Sequence, residues 1–168
     1  PQNGTSLPDF NFILDHLATG AALTAGAADV AALRVAGITH VIDCQAESDD
    51  APLFVGSGIA YLWNPTQDDG QPKSVDWFAR GIAFAVPPLA SAPGVVTGPR
   101  PRVLSHCAGG RNRGPSLAYA IMLALGWPYA EGLEHPSDLA ESRIRAVRPV
   151  VGLAYKADAI NAISALGY

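Results

Sequence analysis

One stretch of the chain, residues 105–116 (SHCAGGRNRGPS), constrains its possible folds more than any other. An apolar-rich run over residues 102–106 leads into it, and a helical pattern over residues 115–125 follows it. This order predicts a strand, a glycine-containing loop and a helix in direct succession. In such a turn, successive backbone N–H groups point into the loop and the helix N-terminus adds partial positive charge. The sequence therefore predicts an anion-binding site.

Two side chains in this loop are of the types that phosphate chemistry needs. Cys107 opens the loop and Arg113 closes it, with five residues between them. Arginine grips two phosphate oxygens with its planar fork, and positive surroundings favour the thiolate, which is the nucleophilic form of cysteine. We therefore predict that Cys107 attacks phosphorus while residues 107–113, the phosphate loop, hold the phosphate. The predicted phosphate-binding residues are Ala108, Gly109, Gly110, Arg111, Asn112 and Arg113.

The arrangement His106-Cys107-x5-Arg113, with Gly110 inside it, resembles the phosphate loop of the cysteine-dependent protein tyrosine phosphatases. Among these, the chain is similar to the compact dual-specificity branch. The alternative is a chance cysteine in a glycine-rich loop. The resemblance implies a single α/β domain, with a central mixed sheet of about four or five strands flanked by helices on both faces. It also implies catalysis through a phosphocysteine intermediate, with no metal and no cofactor.

Length and composition limit the alternatives. The chain has 168 residues, so we predict one domain over residues 1–168. A hydrophobic content of 49% with only 15% charged residues excludes a disordered chain, and a net charge of −4 argues against a nucleic-acid partner. No apolar run is long enough to span a membrane. Because the 2 cysteines are too few for a disulfide framework, we expect a protein of the reducing cytoplasm.

Apolar periodicity and turn residues predict the other elements. Strands are predicted over Phe10–Leu14, Leu17–Thr19, Ile38–Asp43 and Ile59–Trp63, and helices over 29–36, 75–86, 137–147 and 152–166. The pair Pro87-Pro88 should end or kink the second helix. Residues 1–9 should be a loose lead-in, and the Pro/Gly-rich residues 91–101 a surface insertion. Three arginines near the C-terminus, Arg143, Arg145 and Arg148, are interpreted as part of a solvated face.

Phosphate ester cleavage also needs an acid that protonates the departing oxygen. The resemblance assigns this role to Asp68, in the polar segment 64–72. Matching from Tyr61-Leu62 forwards and from Trp77-Phe78 backwards reaches the same residue. Asp69 is the other candidate. A third interpretation is that both carboxylates only form the turn before Gly70.

The resemblance also gives roles to residues around the loop and exposes one departure. In the family, the histidine before the nucleophile, here His106, orients loop groups and supports the thiolate; the alternative is a plain buried histidine. Where the family has Ser or Thr after the arginine, this chain has Gly114, so Ser116 is the candidate substitute. Arg111 adds a second positive charge that would favour a substrate with several phosphates, such as an inositide. The alternative is a solvated residue at the rim.

Cys44 is the second cysteine, and it follows the predicted strand that ends at Asp43. In some relatives of the family, a cysteine at the end of the matching strand forms a reversible disulfide with the nucleophile. The resemblance therefore makes Cys44 a candidate redox partner of Cys107. The alternative is that Cys44 is a small buried apolar residue.

The predicted function is hydrolysis of phosphotyrosine, with phosphoserine and phosphothreonine as further candidates, in a phosphoprotein substrate. Three alternatives remain open at this stage: a catalytically weak phosphate-binding module, a phosphatase of inositides, and a rhodanese-like sulfur transferase. The rhodanese-like loop is one residue shorter and would place its arginine at Asn112. Oligomeric state is not predicted.

Overall fold

One sheet runs through the centre of the molecule in the computed structural model, which describes residues 8–90, 100–129 and 138–168. Within those residues the sheet has five strands. They are β1 (Phe10–Leu14), β2 (Leu17–Gly20), β3 (His40–Gln45), β4 (Ala60–Thr66) and β5 (Val103–His106). Their order is β1-β2-β5-β3-β4, with β1 antiparallel to β2 and the other neighbours parallel. The predicted mixed sheet is confirmed.

Helices cover both faces of this sheet because neighbouring strand residues point in opposite directions. The helices are α1 (Ala27–Val35), α2 (Ala51–Phe54), α3 (Val75–Ala90), α4 (Arg113–Ala124), α5 (Leu139–Val147) and α6 (Lys156–Ala165). On β3, Ile42 packs in the apolar cluster that contains residues of α3, α4, α5 and α6, whereas Val41 packs in a second cluster with α1 and α2. The predicted α/β architecture with helices on both faces is therefore confirmed.

Helix α4 is the most buried helix of the described residues, and it directly follows the phosphate loop. Every residue from Arg113 to Leu123 is buried, as its nearly continuous apolar sequence predicts. The helix begins two residues before the predicted start at Pro115, because proline is compatible with the first turn of a helix. Its N-terminus lies at the end of the loop, where the helix dipole favours an anion.

Several predicted boundaries differ from the structure. Pro87 and Pro88 do not end α3, which continues to Ala90, and a kink at these residues stays a prediction. Strand β4 extends to Thr66, so the polar segment begins later than expected. Helix α6 begins at Lys156 and not at Gly152, because Leu153 has a φ of 50° that interrupts a right-handed helix. The short helix α2 is not predicted.

The predictions for residues 1–7 of the lead-in and 91–99 of the insertion lie outside the described residues. None of the helices that the structure describes is both long and apolar enough to cross a membrane.

Candidate active site

The carboxyl ends of the parallel strands bring the predicted site residues together at one edge of the sheet. Cys107 directly follows β5, Cys44 lies near the end of β3, and Asp68 follows β4 by two residues. Asp43 pairs with His106 in the register of β3 and β5, so Cys44 and Cys107 occupy the next positions on neighbouring strands. This edge is where ligands bind in open α/β sheets.

The backbone of the phosphate loop is turned so that its carbonyl groups point outwards. All five carbonyl oxygens of residues 108–112 accept hydrogen bonds from N–H groups outside the loop. The donors are Ala22 N to Ala108 at 3.0 Å, Arg148 Nη2 to Gly109 at 3.5 Å, Arg148 Nε to Gly110 at 2.7 Å, Gly152 N to Arg111 at 2.9 Å and Ser116 N to Asn112 at 2.8 Å. In a trans peptide the N–H points opposite to the C=O, and the chain has no cis bond among these residues. The amides of residues 109–113 therefore point inwards.

Arg148 fixes the shape of this loop, which corrects its interpretation as part of a solvated face. Its side chain is 3% exposed, and its guanidinium donates to the Asp9 carboxylate at 2.8 Å and to the Asn11 side chain at 2.9 Å. The Arg148 hydrogen bond lowers the pKa of Asp9. Gly110 has a φ of +64°, and a Cβ there would overlap the Arg148 side chain. Loop and arginine therefore fit only because residue 110 is glycine.

The guanidinium of Arg113 is oriented by a carboxylate and a carbonyl. Its Nη1 and Nη2 donate to Glu47 Oε1 and Oε2 at 2.5 and 2.9 Å, and Nη1 also donates to Thr66 O at 2.9 Å. This pairing lowers the pKa of Glu47 to about 2 and raises the pKa of Arg113. Arg113 Nε is buried and has no hydrogen-bond partner among residues 8–90, 100–129 and 138–168. The Nε edge of the fork is thus available to an oxyanion.

The structure brings Asp68 to the phosphate loop and pairs Asp69 with Lys73. Asp68 Oδ1 accepts a hydrogen bond from Tyr155 Oη at 2.7 Å, and its Oδ2 lies 3.5 Å from Asn112 Nδ2, in the loop. Asp69 instead pairs with Lys73 Nζ at 2.8 Å, and that hydrogen bond lowers the pKa of Asp69. A carboxyl group held in its charged form is poorly suited to donate a proton.

His106 is buried between two carboxylates behind the loop. Its Nε2 lies 3.8 Å from Asp43 Oδ1 and 3.7 Å from Asp50 Oδ2, and burial lowers its pKa. Ligand atoms of these three residues lie within 4.8 Å of one another, which makes them the candidate metal ligands of the described chain. However, Gln45 Nε2 already donates to both facing carboxylate oxygens, at 3.1 and 3.4 Å. The two carboxylates are therefore already hydrogen-bonded to Gln45, whereas neither ring nitrogen of His106 has a hydrogen-bond partner among the described residues.

Solved structures share this architecture. A structure of human DUSP28 superposes with a TM-score of 0.67 at 23% identity over 95% of this chain and 97% of that chain. A mouse putative dual specificity phosphatase in complex with zinc tungstate gives 0.67 at 22%, covering 99% and 93%. The chain has the dual-specificity phosphatase fold. PTPMT1 in complex with PI(5)P matches at 0.68 with 16% identity, over 95% and 99%. No protein-family model and no curated protein matches the sequence.

Within this phosphatase fold, Gly114 lies at a closely packed position. A Cβ at this position would lie 3.0 Å from backbone atoms of Ser105 and His106, although the φ of Gly114 is not positive. Helix α4 therefore approaches the end of β5 so closely that a serine at residue 114 would require the backbone to shift by a few tenths of an ångström. The hydroxyl of Ser116, the predicted substitute, accepts a hydrogen bond from Tyr155 N at 3.3 Å.

The two cysteines of the phosphatase fold are both free and buried, with 1% of Cys107 and 0% of Cys44 exposed. Burial raises the pKa of Cys44 well above its usual value, and the neighbouring Cys107 adds to this effect. Cys44 Sγ also lies 3.9 Å from Ser105 Oγ, which donates to Gly114 O at 2.9 Å. Arg111, in contrast, is exposed at the rim of the loop.

Sequence reasoning missed three residues of this site, namely Glu47, Arg148 and Tyr155. Glu47 follows the end of β3, at the same sheet edge as Cys107. This position alone could have identified Glu47 from the sequence as a residue of the site. Arg148 and Tyr155 come from the segment around α5 and α6, far along the chain from their partners. No local pattern identifies such partners.

Proposed function

We propose that this protein is a cysteine-dependent phosphatase of the dual-specificity type, which hydrolyses phosphomonoesters through a phosphocysteine intermediate. One observation carries the proposal. The five carbonyls of residues 108–112 bind groups outside the loop, which leaves five amides free to line its interior, between Cys107 at one end and the unpartnered Nε edge of Arg113 at the other. Such a loop supplies hydrogen bonds to the oxygens of a phosphoryl group and places a sulfur beneath its phosphorus.

In the first step, Cys107 Sγ attacks phosphorus as a thiolate and the bond from phosphorus to the leaving oxygen breaks. Asp68, in its protonated form, gives its proton to that oxygen. In the second step, water attacks the phosphocysteine and the Asp68 carboxylate accepts a proton from it. The P–S bond then breaks, which releases inorganic phosphate and restores the thiolate. Arg113 and the loop amides hold the phosphoryl oxygens in both steps.

We favour phosphotyrosine in proteins as the substrate, with phosphoserine and phosphothreonine as further candidates. The chain has no Lys-Asn-Arg-Tyr-like segment that would deepen the pocket for phosphotyrosine alone. An inositide is the second candidate, because Arg111 is exposed at the rim and PTPMT1, a protein of similar fold, has been solved with PI(5)P. Two free cysteines are compatible with the cytoplasm, where we place the protein.

The first test is release of p-nitrophenol and phosphate from p-nitrophenyl phosphate, in parallel with a thiosulfate–cyanide assay. Phosphate release that depends on Cys107 supports the proposal. Vanadate binding without turnover would indicate a phosphate-binding module, and sulfur transfer to cyanide would indicate a rhodanese-like enzyme. A panel of phosphopeptides and inositol phosphates then separates protein from inositide substrates by kcat/KM.

A further inference from the structure

Tyr155 lies where the acid-bearing segment, residues 67–73, meets the body of the protein. We name this segment the acid loop. The Tyr155 hydroxyl donates to Asp68 Oδ1 at 2.7 Å and accepts from Gly70 N at 3.1 Å. One phenol oxygen therefore binds both the candidate acid and the backbone two residues after it. Residues 67–72 are otherwise exposed, so this contact is one of few that hold the acid loop.

The Tyr155 side chain is itself held firmly. It is 1% exposed, its backbone N donates to Ser116 Oγ at the start of α4, and Lys73 Nζ lies 4.7 Å from the centre of its ring. Burial, together with the hydrogen bond to Asp68, raises the pKa of the Tyr155 phenol. The hydroxyl therefore keeps its proton across the physiological range and remains a donor.

We propose that Tyr155 is a positioning residue that orients Asp68 for proton transfer, an inference that rests on the proposed function. The phenol has one proton, and it is donated to Asp68 Oδ1. Asp68 Oδ2 accepts only a long hydrogen bond, 3.5 Å from Asn112 Nδ2 of the phosphate loop. The acid proton is therefore carried more readily by Oδ2 than by Oδ1. Tyr155 thus selects which carboxyl oxygen faces the leaving group and holds the acid loop over the site. After proton transfer, the carboxylate keeps the same hydrogen bond from Tyr155.

The main alternative is that Tyr155 is only a core residue, since its ring belongs to the large apolar cluster. The substitution Tyr155→Phe separates the two roles because it keeps the ring and removes the hydroxyl. Tyr119→Phe is the matched control. Tyr119 is also fully buried, and its hydroxyl donates to a carboxylate, that of Asp138, at 3.0 Å, but this carboxylate lies outside the site.

The experiment compares two substrates of different leaving-group quality. We expect Tyr155→Phe to lower kcat for phenyl phosphate by about 10- to 100-fold, the worth of a hydrogen bond to a charged group. For p-nitrophenyl phosphate, which needs little protonation, the loss should be less than about threefold. Tyr119→Phe should change the two rates equally and little. Inhibition by vanadate, which the phosphate loop alone binds, should be unchanged in Tyr155→Phe; lost inhibition would overturn the inference.

A double-mutant cycle then tests whether Tyr155 acts through Asp68. In the Asp68→Asn background, Tyr155→Phe should change kcat for phenyl phosphate by no more than about twofold. Equal losses for both substrates, or a full further loss in that background, would show a structural role and overturn the inference. If Asp68→Asn itself leaves both rates unchanged, Asp68 is not the acid and the inference fails with that assignment. Failure of the unmodified protein to hydrolyse either substrate would instead contradict the proposed function.

A measurement on the unmodified protein does not depend on how any variant folds. The Gly70 amide, hydrogen-bonded to Tyr155 Oη, should exchange with deuterium at least about tenfold more slowly than an unprotected glycine amide. Exchange of the Gly70 amide at the unprotected rate would show that the contact does not hold the acid loop, and would overturn the inference.

Discussion

The phosphate loop and the acid loop carry the two halves of the proposed chemistry, but they are held in different ways. Backbone groups and Arg148 bind every carbonyl of the phosphate loop from residue 108 to 112. The acid loop is exposed over residues 67–72 and is held through Tyr155 and through Lys73 N, which donates to Asp158 Oδ2 at 3.2 Å. A rigid anion ring needs no adjustment during reaction, whereas an acid must approach and leave the substrate. The difference indicates that the phosphate loop forms a rigid half of the proposed site, whereas the acid loop forms a half that is held at few points.

The largest expected effect on turnover comes from removing the proposed nucleophile, which lies in the rigid half. Cys107→Ser should abolish turnover while vanadate binding remains measurable, because the backbone ring that binds the anion is unchanged. Steady-state kinetics with p-nitrophenyl phosphate and vanadate titration check both parts, with Cys44→Ser as the active control. Activity above a few per cent of that of the unmodified protein, measured as kcat, would contradict the assignment of Cys107.

The next effect concerns the guanidinium that closes the ring. Arg113→Lys should lower kcat/KM by about 10³- to 10⁵-fold, because an ammonium group cannot bind Glu47 through one edge and a phosphoryl group through another. Arg145→Lys, which changes an arginine paired with Glu141 away from the site, is the control. Near-normal activity of Arg113→Lys would contradict the proposed loop geometry.

The acid loop should show a smaller loss that depends on the leaving group. Asp68→Asn should lower kcat for phenyl phosphate by about 10²- to 10⁴-fold and affect p-nitrophenyl phosphate less. Asp69→Asn is the matched control, since Asp69 pairs with Lys73 and not with the phosphate loop. Its kcat should stay within about threefold of that of the unmodified protein, the scale of a lost surface ion pair. The reverse result would assign the acid to Asp69.

The contrast between the loops also explains what the sequence could predict. The phosphate loop is local: strand, glycines and helix follow one another, so its position, α4 and the roles proposed for Cys107 and Arg113 could be derived from consecutive residues. The supports of both loops are distant. Arg148 lies 38 residues from Gly110 and Tyr155 lies 87 residues from Asp68, and only folding shows that they meet. A charged residue such as Arg148 also gives no sequence signal that it will be buried.

A substitution at Glu47, which is half-exposed, tests whether the orientation of Arg113 in the rigid half depends on this side chain. Glu47→Gln should lower kcat/KM by about tenfold, because one charged hydrogen-bond partner of Arg113 becomes neutral. Asp49→Asn, in the same acidic segment but bound to Tyr61, is the control. An unchanged kcat/KM for Glu47→Gln would show that Thr66 O alone orients the guanidinium.

The same pair predicts a pH dependence of stability. Because the folded-state pKa of Glu47 is depressed to about 2, the stabilisation by its ion pair is complete above the ordinary value of 4.5. It is lost as the pH falls from there through about 2. The difference in the free energy of unfolding between the unmodified protein and Glu47→Gln should therefore be constant from pH 5 to 8 and shrink in acid. Urea titrations at several pH values measure it, and a difference that grows in acid would contradict the pairing.

The smallest effect on basal activity should come from Cys44, because its predicted role is confined to oxidising conditions. Cys44, in β3, and Cys107, one residue beyond β5, directly follow the paired residues Asp43 and His106. Neighbouring strands lie about 5 Å apart, within the Cα separation that a disulfide allows. Peroxide would oxidise the Cys107 thiolate to a sulfenic acid and be reduced to water. The Cys44 sulfur would then attack the Cys107 sulfur, form the disulfide and release a second water. Since burial raises the pKa of Cys44, its reactive thiolate is disfavoured, and Cys44 is not expected to react with peroxide directly.

Peroxide treatment followed by non-reducing peptide mapping tests this prediction. We expect a linked Cys44–Cys107 peptide, and activity that returns with dithiothreitol because the reductant cleaves the disulfide and restores the thiolate. Cys44→Ser should match the unmodified protein before peroxide, yet lose activity irreversibly afterwards, because no thiol intercepts the sulfenic acid before further oxidation. Equal recovery of both proteins would show that Cys44 serves only as a buried apolar residue, and that the nucleophile of the rigid half has no protecting partner.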